Sequence, residues 1–148
     1  MKNQIFPPTY FIALLVVSIL FNLSFPTEKI IFPPYNYLGF ILIILGGIIN
    51  IWADMLFKKG KTTVKLNQKP SSLITLGPFA LSRHPMYLGM TGILIGIAII
   101  QATLISFIFP IIFVILMEIK FIKTEEKNLE EAFGEKYKEY KKKVRKWI

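Results

Sequence analysis

Two long stretches of this chain, Ile30 to Ala53 and His84 to Met117, contain no charged residue. A surface helix in water needs a polar face, whereas a helix that crosses a bilayer needs about 20 mostly apolar residues. Such runs commit most of the chain to a membrane. The composition agrees: 53% of residues are hydrophobic and the mean hydropathy is +0.54, more apolar than an ordinary soluble domain. The 148 residues are read as one domain, residues 1–148.

Residues 9–25, 37–56, 85–100 and 103–121 are each apolar enough to span. The expected fold class is all-α: an integral membrane bundle of four transmembrane helices with a C-terminal amphipathic interfacial helix. A cleaved signal peptide is the other reading of the first segment. Its basic start is only Lys2 and no A-x-A site follows, so a retained helix is expected. Gly46-Gly47 in the second segment and Gly92-Ile93-Leu94-Ile95-Gly96 in the third invite close helix approach. Gln101 ends the third segment in a tight turn, giving a helical hairpin, and Pro110 is expected to kink the fourth.

Lysines orient the bundle. The loop 57–84 holds Lys58, Lys59, Lys61, Lys65, Lys69 and Arg83 and no acid, while Pro26 to Asn36 holds only Glu28 and Lys29. By the positive-inside rule the loop 57–84, both termini and the tail 123–148 face the cytoplasm, in the plasma membrane if the chain is prokaryotic. In the tail, Leu129, Phe133, Tyr137, Tyr140, Val144 and Trp147 are spaced 4, 4, 3, 4 and 3, one face of a helix. The opposite face carries Lys136, Lys138, Lys142 and Lys143, which suits a helix lying on the membrane surface, bent near Phe133-Gly134.

Several chemistries are excluded early. There is no cysteine and a single histidine, which removes disulfides, thiolate nucleophiles and a structural zinc site. The net charge of +9 flanks apolar spans, a placement that fits lipid head groups rather than nucleic acid. A transporter is disfavoured by the lack of inverted-repeat symmetry and midplane charge.

The one histidine lies in Arg83-His84-Pro85-Met86-Tyr87-Leu88-Gly89, where the basic loop becomes the third segment. Proline at a helix start explains part of this pattern without any function. Yet Tyr87 falls three residues after His84, on the same side, and helix-start N–H groups bind anions. Among the acids, Glu126, Glu130, Glu131, Glu135 and Glu139 read as a solvated face. Glu125 shares a face with Glu118 and Leu129 and is expected to turn inward toward a cation. Asp54 and Glu118 sit at the inner ends of their spans. They either pair with Lys58 and with Lys120 or Lys123, or line the site.

Taken in order, Gly60-Lys61-Thr62-Thr63-Val64, Leu76-Gly77-Pro78-Phe79, the Arg83 to Gly89 stretch, Glu125-Glu126-x-x-Leu129, Phe133-Gly134-x-x-Tyr137-x-x-Tyr140 and Val144-Arg145-x-Trp147 resemble the isoprenylcysteine carboxyl methyltransferases and related phospholipid methyltransferases. The resemblance covers roughly Gly60 to Ile148. It implies an integral membrane enzyme that uses S-adenosylmethionine. It also implies a cofactor site formed by His84, Pro85, Met86, Tyr87 and Glu125, by Ser71, Ser72, Leu73 and Ile74, and by Phe79, where the family often has tyrosine. Where the eukaryotic enzymes resemble one another in an arginine on the substrate side, this chain has Phe121.

The chemistry of the residues is compatible with that site. Glu125 can take the cofactor ammonium, and Arg83 with His84 at the helix start can take its carboxylate. His84 and Tyr87 are the candidate catalytic groups, with His84 weighed as a cofactor-binding group ahead of a general base. Trp52, Asp54 and Phe121 are placed on the acceptor side. The acceptor is expected to be lipophilic, a lipidated carboxylate first and a phospholipid amine second. No metal or nucleic acid is expected, and the oligomeric state stays open. A non-catalytic membrane scaffold is the alternative from another class. It requires His84, Tyr87 and Glu125 to lie apart, with Glu125 in bulk water.

Overall fold

The computed structural model describes residues 6–25, 27–61 and 70–148. Thr62, Thr63 and Val64 of the first motif, with Lys65, Lys69 and Pro26, lie outside the described residues. Among the described residues the regular structure is helical, apart from one isolated bridge between Lys29 and Thr103. Its α-helices are α1 (Pro7–Ser24), α2 (Leu38–Lys59), α3 (Pro85–Gln101), α4 (Ile108–Met117), α5 (Lys123–Phe133) and α6 (Glu135–Lys143). Among the described residues, three helical stretches, Pro7–Ser24, Tyr35–Lys59 and Leu104–Phe133, are long and apolar enough to cross a membrane, while Pro85–Gln101 is a shorter apolar helix.

The pair α2–α3 is the best-packed part of the bundle, and glycine is the reason. Gly46 meets Gly89, where an added Cβ would lie 2.5 Å from the Gly89 carbonyl oxygen. One heptad away Gly96 meets Gly39, again with 2.5 Å to backbone. The helices run antiparallel at backbone contact, held by van der Waals packing. Of the expected Gly92–Gly96 pair, only Gly96 is used: Gly92 has its nearest neighbour at 3.9 Å, and Gly47 has nothing within 4 Å. The used pairs follow a seven-residue period because that keeps one seam facing the partner.

Helix α1 packs through aromatic edges against α4, Phe11 on Phe113, and against the residues just after it, Tyr10 on Phe121. A core of Tyr87, Met90, Leu94, Phe113, Met117, Phe121 and Ile122 joins these helices. Between α3 and α4 the chain turns at Ala102, in the left-handed region at φ 62°, and the Ala102 carbonyl accepts the Ile30 amide at 2.7 Å.

Three expectations are corrected. Pro110 does not kink a helix interior: a 3-10 turn (Leu104–Phe107) precedes α4, so Pro110 falls in the first turn, where its missing N–H costs little. The irregularity lies further on, in a π turn over Glu118–Ile122 that joins α4 to α5. The tail is also not one helix from Leu129 to Trp147. Gly134, at φ 52°, divides α5 from α6, and Val144 is extended. Finally, Tyr137 and Tyr140 do not face outward: they are 0% and 8% exposed and are packed inside the protein.

Candidate functional site

The 3-10 turn Gly77–Ala80, opened by Pro78, directs the chain into the start of α3. His84 caps α3 and Pro85 is its first residue, so the α3 N-terminus is fixed where the loop meets the bundle. From the opposite side the π turn delivers α5. On a regular α-helix, at about 100° per residue, Glu125 would stand about 80° away from the face of Met117. The wider turn winds less per residue and brings Glu125 and Glu126 toward the buried side.

The two helix ends meet in a buried polar cluster. The Glu125 carboxylate lies 3.3 Å from His84 Nδ1 and accepts a short hydrogen bond from the Tyr87 hydroxyl. The His84 and Tyr87 rings stack at 5.8 Å. Glu126 is not solvated, contrary to expectation. Its side chain is 12% exposed, pairs with Arg83 Nη2 at 2.6 Å, and lies 3.5 Å from His84 Nε2. That last contact is one of charge without a hydrogen bond, since His84 Nε2 is buried with no hydrogen-bond partner. Two carboxylates thus face Arg83 and His84, a balance that favours a charged imidazole. Burial alone would lower the His84 pKa, but the adjacent Glu125 and Glu126 carboxylates outweigh it and hold the pKa above its ordinary value of 6.5.

Residues 140–147 strap this cluster from outside. Arg83 donates through Nη1 to the carbonyls of Lys141 and Val144 at 3.2 and 3.1 Å, and its amide donates to the Arg145 carbonyl at 3.0 Å. The Ser82 hydroxyl donates to the Lys146 carbonyl at 3.0 Å, and the Tyr140 hydroxyl to the Phe79 carbonyl at 2.6 Å. Burial raises the Tyr140 pKa to about 12, so this hydroxyl stays a donor at physiological pH. Lys146 pairs with Glu118 at 2.5 Å, in place of the expected Lys120 or Lys123. Lys120 instead donates to the Tyr10 hydroxyl at 2.9 Å.

Beside the strap, which reaches it through Tyr140, is a cavity of about 430 Å³. Ser72, Leu73, Ile74, Phe79, Arg83, His84, Pro85, Met86, Tyr87 and Glu125 all line it. Ser71 does not: its hydroxyl donates to the Lys61 carbonyl at 2.9 Å. Arg83 lies in the wall with its guanidinium committed to Glu126 and the strap, so its expected part in holding a carboxylate is not what the geometry favours. The acceptor-side residues are elsewhere. Asp54 pairs with Lys58 at 2.6 Å, Trp52 lies against Gly77, and Phe121 is buried in the core. Sequence reasoning missed Phe6, Pro7 and Pro8 from the start of α1, along with Phe57, Met90 and Asn128. Asn128 had a signal, three residues after Glu125 on the same helix face. Among the described residues no group of three acidic or histidine side chains could hold a metal ion.

A few polar groups converging on one wall of an otherwise apolar cavity are the general features of a small-molecule site. The family model described as phospholipid methyltransferase matches residues 35–136, well over half of the chain. The chain belongs to the phospholipid methyltransferase family. Among solved structures it is similar to the eukaryotic intramembrane Ras methyltransferase ICMT (isoprenylcysteine carboxyl methyltransferase), with a TM-score of 0.71 and 20% identity. The match covers 100% of this chain and 53% of that one, so the chain spans about half its length, and the likeness is one of fold. No curated protein matches. The three long apolar helices and this intramembrane neighbour make the chain a membrane protein.

Proposed function

We infer that the chain is an S-adenosylmethionine-dependent methyltransferase that modifies a lipophilic acceptor. In this reading the bundle has four spans, counting the shorter α3, and its cofactor side faces the cytoplasm, an orientation that the lysine distribution supports. The observation that carries the reading is the convergence of Glu125, His84 and Tyr87 on one wall of an otherwise apolar cavity. The scaffold alternative needs these three apart.

The residues fit the cofactor. A cavity of about 430 Å³ is of the size that holds one small molecule, roughly 300–1,000 Å³. Glu125 offers a carboxylate to an ammonium group. His84 Nε2, buried and without a hydrogen-bond partner, offers a donor to a carboxylate beside the free N–H groups that begin α3. Leu73, Ile74, Phe79 and Met90 offer apolar walls to an aromatic base. When bound, the sulfonium supplies a methyl group for in-line displacement. The chain's residues hold the two reactants in register and keep water out. His84 acts here as a binding group, because both carboxylates favour its protonated form.

The acceptor read first is a lipidated carboxylate, which needs no base. A phospholipid amine is the second, favoured by the description of the matching family. Calorimetry with S-adenosylhomocysteine on folded protein in mild detergent tests the cofactor; no heat of binding would sink it. Methyl-labelled cofactor supplied to membranes separates the acceptors. Label released by mild base as methanol marks an ester, and base-stable label on a head group marks an amine.

A further inference from the structure

The strap 140–147 holds Lys141, Lys142, Lys143, Arg145 and Lys146 and no acid, and it is hydrogen-bonded to the residues that lead into the cavity. Its inward side is spent on Phe79, Ser82, Arg83 and Glu118. On its outward side Lys142, Lys143 and Arg145 are exposed. Leu81 adjoins Ser82, which holds the strap through Lys146, so Leu81 flanks the same seam while 74% exposed. Ile148, just past the strap, is 77% exposed. Cations beside bare leucine and isoleucine are the pattern of a surface that sits in head groups with its apolar residues reaching the acyl boundary. The apolar helices hold this end of the molecule at the bilayer, so lipid is present at a high effective concentration.

We propose that the outer face of the strap, with Leu81 and Ile148 beside it, docks on anionic lipid head groups. Docking holds the strap against Phe79 and Arg83, which line the cavity, so that anionic lipid raises affinity for the cofactor. The docking stands by itself, and only its effect on the cofactor rests on the methyltransferase reading. Each lysine or arginine near an anionic surface contributes roughly fivefold in binding. Three such cations are enough to move a strap that is held by a handful of hydrogen bonds.

The test uses the full chain in nanodiscs of phosphatidylcholine alone or mixed with phosphatidylglycerol. Two readouts are taken: amide hydrogen exchange over residues 140–147 and the Kd for S-adenosylhomocysteine. Phosphatidylglycerol is expected to slow exchange across the strap and tighten binding several-fold. High salt, or the combined exposed substitutions Lys142→Gln, Lys143→Gln and Arg145→Gln, should abolish both effects. Equal exchange in the two lipids overturns the docking. Slower exchange with unchanged Kd overturns the coupling. Slower exchange with no binding in either lipid keeps the docking and removes the cofactor reading. Protection by soluble polyglutamate but not by phosphatidylglycerol overturns the lipid in favour of an acidic protein.

Discussion

His84 stands between two carboxylates, and its charge state sets how the site responds to pH. Its pKa is raised in the folded chain above the ordinary 6.5, so its ionic contribution to stability is complete below about pH 6.5 and is lost as pH rises through the folded value. The melting temperature in detergent should therefore fall from neutral to mildly alkaline pH, and His84→Asn should flatten that slope. A wild-type profile as flat as the variant's contradicts a charged imidazole. Glu125→Gln and His84→Ala each remove a charged hydrogen-bonding partner, worth about 1.5–3 kcal/mol, roughly 10–100-fold in the Kd for S-adenosylhomocysteine. Unchanged affinity in both removes the assignments. Glu126→Gln is a stability variant instead, because it strands the buried Arg83 charge at a cost of about 3–5 kcal/mol. The double change Arg83→Met with Glu126→Leu should recover most of that loss in a thermal melt. His84, Tyr87 and Glu125 were legible from spacing at a helix start and from position below an apolar span. Glu126 was not, because an acid on a charged helix reads as solvated until Arg83 and the strap are seen to bury it.

At the level of the helix, glycine does different work at neighbouring positions. Gly46→Ala drives a methyl into the Gly89 backbone and should cost about 1–3 kcal/mol by overpacking, since backbone cannot rotate aside. Gly92→Ala, whose methyl would make only an ordinary contact with the Leu42 carbonyl at 3.9 Å, should be neutral or gain up to about 1 kcal/mol from helix propensity. Comparing the two thermal melts checks this; equal losses would mean that α2 and α3 do not pack through these glycines. The four apolar segments were visible in the sequence to within a few residues, because charge-free length is a strong signal. Which glycine meets which was not visible, since that depends on register between two helices. The Phe133-Gly134 pair signalled an interruption at Gly134, but the inward turn of Tyr137 and Tyr140 was hidden: the amphipathic face was real, but its partner is protein.

Over the whole chain, the site draws on more than the family's shared part. The family match ends at residue 136 and begins at residue 35, yet Phe6, Pro7 and Pro8 line the cavity from before it and Tyr140 from after it. Removal of residues 140–148 leaves every apolar helix in place but strips Arg83 and Ser82 of their carbonyl partners. Helical content by circular dichroism should stay near that of the full chain while S-adenosylhomocysteine binding is lost. Retained binding at full strength would mean that the strap does not shape the cavity.

The π turn at Glu118–Ile122 bears on how relatives are compared. A turn of this kind absorbs one surplus residue and leaves the helix on either side in phase. A relative whose helix runs regularly through this point would present its glutamates to the same cavity with one residue fewer after the apolar span. An alignment of such chains should admit a one-residue gap there, and the residue count from span to glutamates is no measure of whether the pocket is intact.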